Sequence, residues 1–89
     1  MNKYIITDEV LISFDNIISL KFIKRNMRFS VFDKNEHEEP AFLKVFINST
    51  ENFTISANSY EDDSNIKEIY NNYKEYLLNK EGIKIWKKN

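Results

Sequence analysis

The sequence predicts an α+β domain: a mostly antiparallel, strongly twisted sheet of five to six strands in meander order, with one C-terminal amphipathic helix packed on its inner face. Three observations point there. Residues 27–33 (MRFSVFD) and 41–47 (AFLKVFI) alternate apolar and polar side chains on either side of the polar break 34–40, the pattern of an antiparallel hairpin. After Ser59 the apolar period lengthens: Ile66, Ile69, Tyr70, Tyr73 and Leu77, with Tyr76 beside them, follow the i, i+3, i+4, i+7 stripe of a helix lying on a sheet. At 89 residues the chain can build one modest core. Residues 1–89 therefore read as a single domain, with strands over about 3–58, the helix over about 61–80 and a tail or short strand at 83–86.

Taken in order, Tyr4 to Ile6 and Val10 to Phe14 are two short strands joined at Thr7-Asp8-Glu9, with Val10, Ile12 and Phe14 facing the core. Asp15-Asn16 is a turn, since both side chains bond the backbone locally. A strand over about 17–24 puts Ile18, Leu20 and Phe22 on one face and Ser19, Lys21 and Ile23 on the other. Arg25-Asn26 then serves as a two-residue turn into the central hairpin, pairing Phe22 with Phe29 and Leu20 with Val31. Inside that hairpin Val31 faces Leu43, Phe29 faces Val45 and Met27 faces Ile47, because a one-residue slip would turn half of these side chains to water. A last strand, Phe53 to Ala57, presents Phe53, Ile55 and Ala57 inward. Glu61, Asp62 and Asp63 favour a helix N-terminus, Ser59 or Ser64 suits a cap, Lys80 falls in the last turn and Gly82 suits the residue after it.

This register builds an aromatic outer face. Ile23 stands beside Arg28 and Phe46, Lys21 beside Ser30 and Lys44, and Ser19 beside Phe32 and Phe42. One ring can bury ~150 to 250 Å². Phe32, Phe42, Phe46 and Ile23 around Arg28 and Lys44 therefore reach the ~300 to 600 Å² of a typical monomer's largest apolar patch, and something is expected to cover them. The candidates are the tail Ile83 to Trp86, a second copy in a homodimer, or a different protein.

Composition narrows the chemistry. With 13 basic and 14 acidic residues the chain is near neutral, so no global attraction to nucleic acid or to an anionic membrane is indicated. The absence of cysteine removes disulfides, thiolate catalysis and zinc-thiolate sites together. The N-terminus MNKYIITDEV lacks the apolar core of a signal peptide, and nowhere do ~18 apolar residues follow one another. A cytoplasmic location is expected, without membrane insertion. The sequons at Asn48 and Asn52 then read as coincidence in an Asn-rich chain. Abundant Asn, Lys, Ile and Tyr beside one Gly and one Pro fits an AT-rich coding genome.

No catalytic constellation is legible. His37 lies in Glu36-His37-Glu38-Glu39, but four consecutive residues do not converge on a metal as helical i, i+4 ligands do, so the stretch reads as a solvated acidic loop. One histidine, no cysteine and one glycine leave no hydrolase triad and no phosphate-cradling loop. No catalytic, cofactor or metal residues are assigned. Lys21, Lys24, Arg25, Arg28 and Lys44, interleaved with phenylalanines, offer the alternative of a single-stranded nucleic-acid platform, in which cations track phosphates and rings stack on bases.

The order of elements from about Tyr4 to Lys80, a curved meander closed by a terminal helix, resembles the bacterial pleckstrin-homology-like (PH-like) domains. That resemblance implies a binding module and not a catalyst. The expected function is a small non-enzymatic protein-binding module, an inhibitor or adaptor of a larger protein, in a bacterial or phage accessory role. Phe32, Phe42, Phe46, Arg28, Ile23 and Lys44 are its expected contact residues, since aromatic rings around an arginine have the composition of an interface hot spot.

Overall fold

The structure, a computed structural model, describes residues 3–81, without the side chain of Glu81. Gly82 and the expected tail at 83–86 lie outside the described residues. The chain is α+β: β1 (Tyr4–Ile6), β2 (Leu11–Ser13), a 3₁₀ turn (Phe14–Asn16), β3 (Ser19–Ile23), β4 (Asn26–Phe29), β5 (Glu36–Glu39), β6 (Phe42–Phe46), β7 (Asn52–Ser56) and α1 (Ser64–Glu81). All strand pairs are antiparallel, but they form three small sheets: β1-β2, β3-β6-β7 and β4-β5. Among the described residues the first hairpin pairs only with itself, so these strands neither close a barrel nor run as one meander.

The central register differs from the expected one. Residues 42–46 pair with β3, setting Phe22 against Leu43 and Leu20 against Val45, while β4 pairs with Glu36–Glu39. Val31 across from Leu43, Phe29 across from Val45 and Met27 across from Ile47 are therefore not formed, nor are Phe22 with Phe29 and Leu20 with Val31. β3 and β4 carry the same alternation, so either satisfies β6 by pattern alone. The helix decides between them. A helix ~10 Å wide covers two or three strands spaced ~4.8 Å apart, and a fourth strand inserted between β3 and β6 would leave an apolar strip in water. With β3 next to β6, Phe22 meets Tyr70 of α1 edge to face, with ring centroids 6.0 Å apart. The excursion between β3 and β6 is closed by its own β4-β5 ladder, which offsets the chain entropy of so long a loop.

Local chemistry makes each turn. Thr7 Oγ1 accepts from the N–H groups of Glu9 and Val10, closing β1 to β2 without a glycine. Asn48 Oδ1 accepts from the N–H groups of Thr50 and Glu51, so this sequon asparagine builds the β6-β7 turn. Asp62 Oδ1 accepts from the N–H and hydroxyl of Ser64 at the helix start, and these bonds hold the Asp62 carboxyl below its usual range, the Ser64 side chain first. The helix begins at Ser64, a little later than the expected 61, because residues 59–62 form a turn of their own with Ser59 and Asp62 bonded to each other.

The core lies between α1 and the inner face of β3-β6-β7. Leu43, Val45 and Ile66 are fully buried, and Leu20, Phe22, Phe53 and Ile55 pack around them. Phe14, only 2% exposed, extends this core to the first hairpin. Its ring meets Tyr73 and Tyr76 edge to face, each at 5.3 Å. The Tyr73 hydroxyl donates to the Ile17 carbonyl at 3.1 Å, and the Tyr76 hydroxyl donates to Asp15 Oδ1, which Lys80 also reaches at 3.0 Å. The tyrosines are thus both core rings and polar clamps on residues 14–17.

Phe14→Ala removes a ring whose burial is worth ~3 to 5 kcal/mol, a large part of a small domain's stability, and a urea titration should show a midpoint collapse of that order. Burial pushes the Tyr73 phenol up from its ordinary value, so its contribution is whole below about pH 10 and is lost as pH rises through the folded-state value. Asp62 has the opposite sign: its contribution is present above about pH 4 and lost as pH falls below it. Thermal melts should therefore weaken at both extremes, with the alkaline limb reduced in Tyr73→Phe and the acid limb reduced in Asp62→Asn.

Candidate interaction surface

The outer face of the three-stranded sheet is set by register. Ile23 pairs with Phe42 and Phe42 with Ser56; Lys21 pairs with Lys44 and Lys44 with Thr54; Ser19 pairs with Phe46 and Phe46 with Asn52. Ile23, Phe42, Lys44 and Phe46 are thereby brought together, as expected. Their order is changed by the β3 pairing: Ile23 stands by Phe42 and not by Phe46. The two phenylalanines are half-buried, and the Lys44 ammonium lies 5.5 Å from the centre of the Phe46 ring. Lys21 is exposed directly opposite Lys44, and among the described residues neither lysine has an ion-pair partner. Like charges directly opposite in a sheet repel, so this face is held at a cost in stability.

Arg28 and Phe32 are not on that face. Both belong to the arm formed by β4, β5 and the loop 30–35. In the arm, Asn26, Arg28, His37 and Glu39 share one side. Arg28 Nε lies 3.9 Å from Glu39, Asn26 donates to Glu39 at 3.4 Å, and His37 Nε2 lies 3.0 Å from Asp33. The Asn35 N–H, first among several bonds, lowers the Asp33 carboxyl below its usual range. The other side carries Met27 opposite Glu38 and Phe29 opposite Glu36. At the tip Val31 is 73% and Phe32 97% exposed. Lys34 closes the loop with φ of 58°, donating its N–H to the Ser30 carbonyl at 2.8 Å. Arg25 anchors the root: its guanidinium stacks 4.9 Å from the Tyr60 ring and reaches the Tyr60 carbonyl at 3.4 Å.

A second apolar surface escaped the pattern analysis. Tyr4, Ile6 and Leu11 are exposed by 62%, 71% and 77% on the outward side of the first hairpin, with Ile6 directly opposite Leu11. The signal was present in the run Tyr4-Ile5-Ile6: a two-stranded ribbon buries one face only, so an unbroken apolar run must leave part of itself in water. Between this hairpin and α1 lies a groove of about 580 Å³ lined by Tyr4, Ile6 and Phe14 with Asn65 and Asn72. Its charged members are Lys3 and Glu68, and its lining includes no nucleophile paired with a base.

His37 belongs to a strand, not to a loop. Among the described residues no three His, Cys, Asp or Glu side chains are grouped so as to hold a metal ion. No described helix is long and apolar enough to cross a membrane. No family model matches the chain, and no match is found among curated proteins or solved structures.

The Lys21-Lys44 repulsion is directly measurable. Lys44→Thr should raise stability by ~0.2 to 1 kcal/mol in a urea titration at low salt, and the gain should shrink as salt screens the wild-type pair.

Proposed function

We propose that this chain is a small non-enzymatic protein-binding module, an inhibitor or adaptor of a larger protein, that binds through the outer face of β3 and β6. One observation supports the reading: two lysines with no ion-pair partner among the described residues face each other between half-buried phenylalanines, Phe42 and Phe46. The arrangement costs folding energy, and an acidic, partly apolar partner surface returns it by neutralising the lysines and covering the rings. Ile23 extends the apolar contact. Arg28 and Phe32 act from the arm, as a separate contact. A cytoplasmic accessory role in a bacterium or phage fits the cysteine-free, Asn- and Lys-rich composition.

The same lysine pair supports a second reading, a single-stranded nucleic-acid platform in which Phe42 and Phe46 stack on bases and Lys21 and Lys44 meet phosphates. Near-neutral total charge weighs against it.

The test compares the immobilised wild type with Phe42→Asp, Phe46→Asp in extract of the source cell. Retention of a defined protein by the wild type, lost in a variant whose circular dichroism is unchanged, is the expected result. Undiminished retention by the folded variant would remove this face from the function. An unfolded variant would show that the rings belong to the core. Binding of labelled oligonucleotides that weakens linearly with log salt and disappears in Lys21→Glu, Lys44→Glu would establish the second reading instead.

A further inference from the structure

We propose that the lysine-phenylalanine face of one copy receives the arm of a second copy, through the arm side that carries Met27, Phe29, Glu36 and Glu38. This rests on reading the sheet face as a protein-binding surface, and it names the partner. The argument begins with the two sides of the arm. One side meets its polar groups internally, Arg28 by Glu39 and the Asp33 carboxylate by a hydrogen bond with His37. The other carries Glu36 and Glu38, neither of which has an ion-pair partner among the described residues. Beside these carboxylates, on the same side, Met27 is 42% and Phe29 58% exposed. The arm therefore presents an acidic row against an apolar row.

The sheet face presents the matching set. Lys21 and Lys44 are adjacent and without an ion-pair partner among the described residues, and Ile23, Phe42 and Phe46 flank them. Two glutamates at i and i+2 on one strand stand ~6.8 Å apart, and two residues directly opposite on neighbouring strands stand ~5 Å apart at Cβ. Lysine stems span the difference. Two carboxylates meet two ammonium groups, and the Met27 and Phe29 row beside them meets the Ile23 and Phe42 row beside the lysines, so each surface supplies what the other lacks. Among the described residues β4 and β5 pair only with each other, and all their residues but Glu39 are exposed, so the arm is available to a second copy. Every copy carries both halves, so a two-fold pair makes the contact twice. Doubling is what brings a patch of a few hundred Å² toward the ~1,200 Å² of a specific interface.

The test uses two full-length variants with opposite charge reversals. In the first, Lys21→Glu and Lys44→Glu make the sheet face acidic like the arm; in the second, Glu36→Lys and Glu38→Lys make the arm basic like the sheet face. Light scattering over a concentration series should show a wild-type dimer that weakens with added salt. Each variant alone should dissociate at least ~10-fold more readily, a change of ~1.4 kcal/mol, and an equimolar mixture should recover the wild-type mass. Recovery on mixing also excludes misfolding, because an unfolded chain would not be rescued. Should a reversal fail to fold, Lys21→Gln, Lys44→Gln and Glu36→Gln, Glu38→Gln replace it, with the same weakening expected.

A monomeric wild type overturns the pairing, and so does a dimer indifferent to all four substitutions or one broken only from the sheet side. In each of these cases the protein-binding reading stands or falls separately, on the identity of the foreign protein lost with Phe42→Asp, Phe46→Asp. Retention of a foreign protein alone does not support the self-pairing.

Discussion

The burial of Phe14 is the constraint on which the architecture depends. The three-stranded sheet and the helix share Leu43, Val45 and Ile66, but the first hairpin is a two-stranded ribbon that would be marginal alone. Phe14 joins it to the rest by packing edge to face against both Tyr73 and Tyr76, whose rings stack on each other. The 3₁₀ turn that carries Phe14 has its polar groups met by the same helix, through Tyr73 to Ile17 and Tyr76 and Lys80 to Asp15. Tyrosine suits this place because one residue type supplies an apolar ring and a hydroxyl at its end.

A second consequence of the helix is the arm. One helix covers the three strands β3, β6 and β7, and the remaining alternating segment has no face left to bury against. It folds back on the acidic stretch 36–39 and leaves Phe29, Val31 and Phe32 in water. Large apolar side chains held on an exposed arm are unfavourable for an isolated monomer, and single exposed leucines or isoleucines elsewhere are ordinary. Rings at the end of a protruding hairpin are suited to contact with another macromolecule.

The electrostatics separate surface that is complete from surface that is not. Arg28, Glu39, His37 and Asp33 satisfy one another on one side of the arm, and Asp15 takes both Tyr76 and Lys80 at the helix end. Lys21 and Lys44 on the sheet and Glu36 and Glu38 on the arm lie beside apolar surface with no ion-pair partner among the described residues. A binding role places its demands on such sites, where a partner supplies both counter-charge and cover.

The sequence by itself determined the class of fold, most strand positions and the helix. Periods of two and of 3.6 are written in residues 19–23, 42–46, 52–56 and 64–81, and turn chemistry at Thr7, Ser13 and Asn48 is local, whereas the Asp15 carboxylate bonds the distant helix and not its own turn. It also determined which side of β6 is core, and so that Phe42, Lys44 and Phe46 share the other side. Strand partnership was decided only by the tertiary structure. Leu20-Phe22 and Met27-Phe29-Val31 carry the same alternation, and pattern cannot say which of them the helix will cover. That choice moved Arg28 and Phe32 off the sheet face, set Lys21 against Lys44 between different neighbours, and turned Glu36–Glu39 from a loop into a strand. Burial under a helix of finite width is a property of the assembled layers, and no short window of sequence contains it.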